Sequence, residues 1–98
     1  MGRLEPDLTP TFKRDIKRLD RKHVDTKPLV DVMELVLTNS KRSEKELKRR
    51  HNMHKLKGEW AGSLECHVAN FGDWLLIWCI EDNYAIFQRT GSHDELFR

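Results

Sequence analysis

The chain has 98 residues, 38% of them apolar and 35% charged, with a formal net charge of +2. That length makes one domain, residues 1–98, with a core large enough to fold alone but little to spare, and its regular apolar punctuation excludes a disordered chain. The longest apolar run, Trp74 to Ile80, is far shorter than the roughly 20 residues a bilayer span needs, and Met1 to Pro6 holds no secretory apolar core, so the sequence reads as a cytoplasmic protein with no membrane partner.

The small net charge hides an asymmetry. Residues 1–58 carry 16 Lys/Arg against 9 Asp/Glu, a net +7, whereas residues 59–98 carry 2 against 7, a net −5. Within 41–57 (KRSEKELKRRHNMHKLK) there are 8 basic and 2 acidic residues. A one-sided basic block beside clustered histidines points to a polyanion partner, and the acidic remainder argues against indiscriminate duplex binding.

In chain order, residues 3–8 read as a short strand that Pro6 confines to a sheet edge. Thr9-Pro10 is a helix start, a capping hydroxyl followed by proline in the first turn, and Phe12, Ile16 and Leu19 then recur at helical spacing. Asp25-Thr26-Lys27-Pro28 repeats the signal. A second helix carries Leu29, Val32, Met33 and Val36 inward and ends near Asn39. So short a connection predicts an antiparallel helical hairpin.

The segment 41–57 has poor helical periodicity and reads as a basic loop with at most a helical turn at 45–50. In the next strand Leu64, Cys66 and Val68 alternate with Glu65, His67 and Ala69. Trp74 to Ile80 is apolar on both parities, as in a central strand covered on both sides. Glu81-Asp82-Asn83 breaks the run, Tyr84–Arg89 returns, and Arg89-Thr90-Gly91-Ser92-His93 leads into a short terminal segment. The order β-α-α-β-β-β predicts an α+β domain: a two-helix hairpin on one face of a mostly antiparallel four-stranded sheet, with a short C-terminal turn. The opposite face is left to bind something.

Of the five histidines, His23 sits among surface charges and His51 in the basic block. His54, His67 and His93 occupy three separate strand-end or turn positions. His51-x-x-His54 with Cys66-His67 superficially offers four metal ligands, but it lacks the tight paired spacing of zinc sites, and Cys66 and His67 point to opposite faces of a strand. No metal or other cofactor is expected. Cys66 and Cys79 fit best as small buried hydrophobes, although a disulfide between them stays open, and no base is placed beside them or Ser92 for nucleophilic catalysis.

A metal-free chemistry fits better. RNA carries its own nucleophile, the 2′-hydroxyl, so cleavage needs a group to remove that proton, one to protonate the departing 5′-oxygen, and a cation to stabilise phosphate charge. Histidine titrates near neutrality and suits the first two roles. Arg89 suits the third, and Trp74 and Phe97 are rings on which an unpaired base can stack.

His54-Lys-Leu-Lys-Gly58, Trp60-Ala61-Gly62, Glu65-Cys66-His67-Val68, Asp73-Trp74-Leu-Leu-Ile-Trp78 and Arg89-Thr90-Gly91-Ser92-His93 with Leu96-Phe97 occur in order and at fitting spacing. Together they resemble the YafQ branch of the RelE toxin superfamily, closely over 54–98, and Thr9 to Leu19 is similar to that superfamily's first helix. The resemblance implies a RelE-like fold, ribosome-dependent endonuclease activity on mRNA and inhibition by a cognate antitoxin in a toxin–antitoxin hetero-oligomer. It implies active-site roles for His54, His67, Asp73, Trp74, His93 and Phe97, with Arg89 alongside. His54 and His93 are expected to transfer protons, while Asp73 and His67 orient or tune them. The basic block, Lys48, Arg49, Arg50, Lys55 and Lys57 foremost, is expected to grip RNA. One departure is the four-residue turn Ala69–Gly72, where the family typically has two residues. The alternative function is a non-catalytic relative of the same fold: a ParE-like toxin that inhibits DNA gyrase, or an RNA- or ribosome-binding module.

Overall fold

The computed structural model describes residues 2–69 and 72–97. Strands β1 (Glu5–Leu8), β2 (His54–Lys55), β3 (Leu64–His67), β4 (Leu75–Glu81) and β5 (Tyr84–Gly91) form one sheet in the order β1-β5-β4-β3-β2. β1 runs parallel to β5, and the other neighbours are antiparallel. The class is the expected α+β, but the sheet has five strands rather than four. The extra one, β2, is two residues long, too short to leave an alternation signal.

The Thr9 hydroxyl accepts from the Phe12 N–H and Pro10 occupies the first turn, which starts α1 (Pro10–Arg21) where the sequence places it. α2 (Lys27–Thr38) ends at Asn39, whose left-handed conformation (φ 52°) stops the helix. One expectation fails here. Residues 41–51 are not a loop but a third helix, α3 (Lys41–His51), started by a reciprocal capping box between Ser40 and Ser43. α3 packs extensively on α2, α1 lies against β5, and Phe12 and Leu19 of α1 share one core with Leu29, Val32 and Val36 of α2.

The two faces of the sheet differ. One parity of the strands, with Cys66, Leu76, Trp78, Ala85 and Phe87, is buried together with Phe12, Leu29, Val32, Val36 and Leu47 of the helices. The other parity carries a smaller cluster, Leu75 and Ile77 with Leu96, flanked by Leu56 and Trp60. Central strand β4 is therefore covered on both sides, as its sequence predicts, but unequally. The second cover consists of a 3₁₀ turn (Gly58–Trp60) and the single-turn helix α4 (His93–Leu96).

Candidate active site on the thinly covered sheet face

The interstrand register aligns His54 with Glu65, Glu65 with Ile77, and Ile77 with Arg89, a row across β2, β3, β4 and β5. Two residues along β3, His67 lies opposite Leu75, which lies opposite Gly91. Paired residues share a face, so His54, Glu65 and His67 all rise from the side away from the helices. The chain then leaves β5 through Ser92 and turns into α4, which brings His93 to the same side.

α4 is too short to be stable alone, and its first residue is fixed from outside. The Asp73 carboxylate accepts the His93 N–H with both oxygens, at 3.0 and 3.1 Å, and its Oδ1 also lies 3.1 Å from His93 Nδ1. Nδ1 therefore donates, and Nε2 is left as the working atom of the ring. The His93 backbone bond, then its side-chain bond and charge, hold the Asp73 carboxyl below its ordinary value against a small opposing effect of burial; His67 is near enough for its charge to add to the lowering. Phe97 packs against the His93 ring, with centroids 5.7 Å apart, and edge-on against Trp60, yet stays 41% exposed. Ring area beside a histidine suits base stacking.

The longer turn Ala69–Gly72 does not displace this pair. Asn70 and Phe71 lie outside the described residues, but the turn closes with the Val68 N–H donating to the Trp74 carbonyl at 2.8 Å, and Asp73 meets His93 immediately beyond it.

His54 stands at the other side of the face, three strand spacings of about 4.8 Å from β5. Its Nδ1 is 2.8 Å from the Asn52 carbonyl and its Nε2 is 3.2 Å from Glu65 Oε1. Glu65 is only 3% exposed, and its second oxygen, Oε2, is buried without a hydrogen-bond partner. Nδ1 facing a carbonyl is placed to donate to it, which turns Nε2 toward the Glu65 carboxylate in a close contact without hydrogen-bond alignment. The site thus falls into two groups, His67–Asp73–His93 and His54–Glu65. Sequence reasoning placed Glu65 on the right face but gave it no role. The available signal was an acid on a strand whose neighbours are otherwise buried.

Two expected site residues, Trp74 for substrate stacking and Arg89 for catalysis, have partners of their own. The Trp74 ring is half-buried against the helix-side core, and its Nε1 donates to Thr90 Oγ1 at 2.9 Å, so Phe97 is the better placed ring for stacking. The Arg89 guanidinium is held by Asp15 of α1, with Nε 2.9 Å from Oδ2 and Nη2 3.2 Å from Oδ1. The hydrogen bond and charge of Asp15 raise Arg89 above its ordinary value, so it is always cationic.

The basic residues lie on α3 and beyond. Lys48 pairs with Glu44 at i,i+4, Arg49 and Arg50 line a hollow with Arg42 and Lys45, and Lys55 of β2 and Lys57 are exposed. The four residues of the metal alternative do not converge: His51 Nδ1 meets the His67 carbonyl, His54 meets Glu65, and Cys66 faces the helices. Among the described residues no three His, Cys, Asp or Glu side chains are grouped to hold a metal ion. Cys66 and Cys79 are free thiols on opposite faces of the sheet.

A family model described as the bacterial toxin of type II toxin–antitoxin systems, YafQ, matches residues 4–98. The mRNA interferase toxin YafQ of Escherichia coli (strain K12) is 33% identical over 86 residues, which are 88% of this chain and 87% of the relative. The crystal structure of YafQ from E. coli strain BL21(DE3) superposes with a TM-score of 0.82 at 28% identity, covering 97% of this chain and 99% of that one. A chain of the E. coli DinJ–YafQ toxin–antitoxin complex superposes with a TM-score of 0.79, again at 28% identity, over 98% and 99% of the two chains.

Proposed function

The chain belongs to the YafQ family of toxins from type II toxin–antitoxin systems, and we propose that it cuts mRNA on the thinly covered face of its sheet, through His93 and His54, without a metal ion. It is an mRNA interferase, an endoribonuclease, and its natural partner is a cognate antitoxin. No helix among the described residues is long and apolar enough to cross a membrane.

The observation that carries the assignment is the Asp73–His93 pair, in which a carboxylate holds one ring nitrogen and leaves Nε2 facing outward beside an exposed phenyl ring. In-line cleavage needs a base on one side of the phosphate and an acid on the other. The base takes the proton of the 2′-hydroxyl, whose oxygen attacks phosphorus; the bond to the 5′-oxygen breaks, and the acid returns a proton to that oxygen. The products are a 2′,3′-cyclic phosphate and a 5′-hydroxyl. Two imidazoles on opposite sides of the face suit such a division of labour, whichever takes which role. His67 and Asp73 orient the His93 side, Glu65 orients His54, and Phe97 stacks on a base. Arg89 contributes a permanent positive charge toward the phosphate. Lys48, Arg49, Arg50, Lys55 and Lys57 contact ribosomal RNA, and such contacts weaken steeply with salt.

The test is to map transcript ends on programmed ribosomes. A message with deoxyribose immediately 5′ of the cut should resist cleavage, and the unmodified message should yield 5′-hydroxyl ends whether or not a chelator is present. Scission of the deoxy-substituted message would refute the mechanism. The gyrase-inhibiting alternative leaves the Asp73–His93 pair without work.

A further inference from the structure

α1 carries a buried acid that the mechanism above does not use. Asp15 is 1% exposed, on the inward stripe with Phe12 and Leu19. β1 covers β5 only as far as Phe87, so the backbone of Thr90 lies on a part of that edge with no partner strand. Asp15 and Arg18 serve there instead: Asp15 Oδ2 accepts the Thr90 N–H at 3.1 Å, and Arg18 Nη2 donates to the Thr90 carbonyl at 3.2 Å. Asp15 thereby satisfies four donors, from Arg89 twice, from Thr90 and from Arg18 Nη1 at 2.9 Å.

Arg18 reaches further. Its Nε lies 2.8 Å from Glu95 Oε2, an ionic contact without hydrogen-bond alignment. Glu95 in turn closes the capping box of α4: its Oε1 accepts the Ser92 N–H at 2.8 Å, and its own N–H reaches Ser92 Oγ at 3.2 Å. The clamp passes directly over Gly91. A Cβ at that position would stand 2.8 Å from Arg18 Nη2 and 2.9 Å from Glu95 Oε1, so a residue with a side chain would force the pair to shift.

We infer that Asp15, Arg18 and Glu95 are positioning residues for the cleavage reaction: a chain of charges from α1 that pins the one-turn helix bearing His93, while the same Asp15 carboxylate fixes Arg89. The inference rests on the assignment of His93 to the chemistry. A four-residue helix has no stability of its own. Its orientation is set by three attachments, the Asp73 bonds on one side, Leu96 in the small apolar cluster beneath, and the Arg18–Glu95 contact on the other. Removing the last should leave the fold intact and let the imidazole wander, and misplacement of about an ångström is enough to slow catalysis a hundredfold.

Glu95→Gln is the selective probe, because glutamine keeps the capping-box acceptor and loses only the charge that Arg18 and, at 3.8 Å, Lys22 of α1 face. In the free protein, hydrogen exchange at the His93 N–H should quicken about tenfold while core amides and melting stay as in the parent. On programmed ribosomes the maximal cleavage rate should fall between about tenfold and a hundredfold, with the half-saturating ribosome concentration unchanged. Arg18→Lys, which keeps a charge but not the fork, should recover part of the loss that Arg18→Leu shows. Combined with His93→Gln, Glu95→Gln should cost nothing more. Asp15→Asn should lose more than Glu95→Gln because it loosens Arg18 and Arg89 together, and Glu95→Gln carries the test where that variant does not fold. Unchanged exchange at His93 overturns the clamp, as does an equal loss from Glu95→Gln in the His93→Gln background. If His93→Gln alone cleaves like the parent, the assignment of the site has failed, and the positioning role falls with it even where exchange shows the physical clamp.

Discussion

The two faces of the sheet use the same strands for different ends. Under the helices, Cys66, Leu76, Trp78 and Phe87 are buried in a continuous core with residues from α1, α2 and α3. On the other face Leu75, Ile77 and Leu96 form a patch just large enough to seat one helical turn, and around it stand His54, Glu65, His67, Asp73 and His93. Alternation along a strand keeps the two sets apart at no cost in length. Stability is concentrated under the helices, and the proposed reacting groups sit on a cover thin enough to admit a substrate.

The largest effect should come from the thick side. Trp78 is the largest fully buried side chain. Truncating a buried aromatic to alanine costs about 3–5 kcal/mol, a large part of the roughly 5–15 kcal/mol that stabilises a small domain. Trp78→Ala should therefore shift the denaturant midpoint severely and remove activity with the fold. His93→Ala, on the thin side, should do the opposite: cleavage falls by about two to four orders of magnitude while the midpoint stays within about 0.5 kcal/mol of the parent. Comparable destabilisation by both variants would show that the division between faces is false.

How much of this could be read beforehand follows from where the apolar signal is strong. β4 was legible because seven consecutive residues are apolar on both parities, and α1 because Thr9-Pro10 precedes a stripe of Phe12, Ile16 and Leu19. α3 was missed because it buries only Leu47 and Ser43, and its helicity comes from charged residues of good propensity and a serine–serine cap rather than a stripe. The parallel pairing of β1 with β5 joins segments some 80 residues apart, which no local pattern encodes. The motif histidines and Asp73 could be named from their family spacing, but Glu65, the carboxylate beside His54, could not. Glu65 and Asp15 are acids at inward positions, and their meaning appears only once β2 and β5 lie beside them.

Acid should separate the faces in a smaller way. The backbone bond from His93, followed by its side-chain bond, lowers Asp73 below its ordinary 3.8, and the Ser92 N–H bond, opposed by burial and aided by the Arg18 charge, lowers Glu95 below 4.5. A folded-state value below the unfolded one means stabilisation that is complete above the unfolded value and lost as pH falls through the folded one. Asp15 follows the same sign: burial raises it, but the bonds from Arg89, Thr90 and Arg18 outweigh that cost. The contribution of these carboxylates to the attachment of α4 should thus be complete above the ordinary carboxylate range and weaken below it. Hydrogen exchange at the His93 N–H, followed downward in pH, should lose protection before the amides of β4 do. Simultaneous loss would mean that the thin cover is not an independent unit.

The mildest probe uses the two thiols, one on each face. Cys66 lies under the helices with no exposure, and burial, with a small contribution from the Glu65 charge, pushes it up to about 12. Cys79 shares the parity of Leu75 and Ile77 and is partly exposed; burial and then Glu81 raise it as well. Alkylation requires the thiolate, and a thiol near 12 presents only about one part in ten thousand of it at pH 8, behind a wall of packed side chains. Iodoacetamide on the native protein should therefore mark Cys79 and leave Cys66 unmarked until the helices open, at the rate of global unfolding. In Trp78→Ala both thiols should react, and in His93→Ala only Cys79 should, because that change lies on the face where no thick core is lost. Native labelling of Cys66 as fast as Cys79 would mean that the helical layer opens without unfolding the chain, and the contrast between the two covers would then be one of degree.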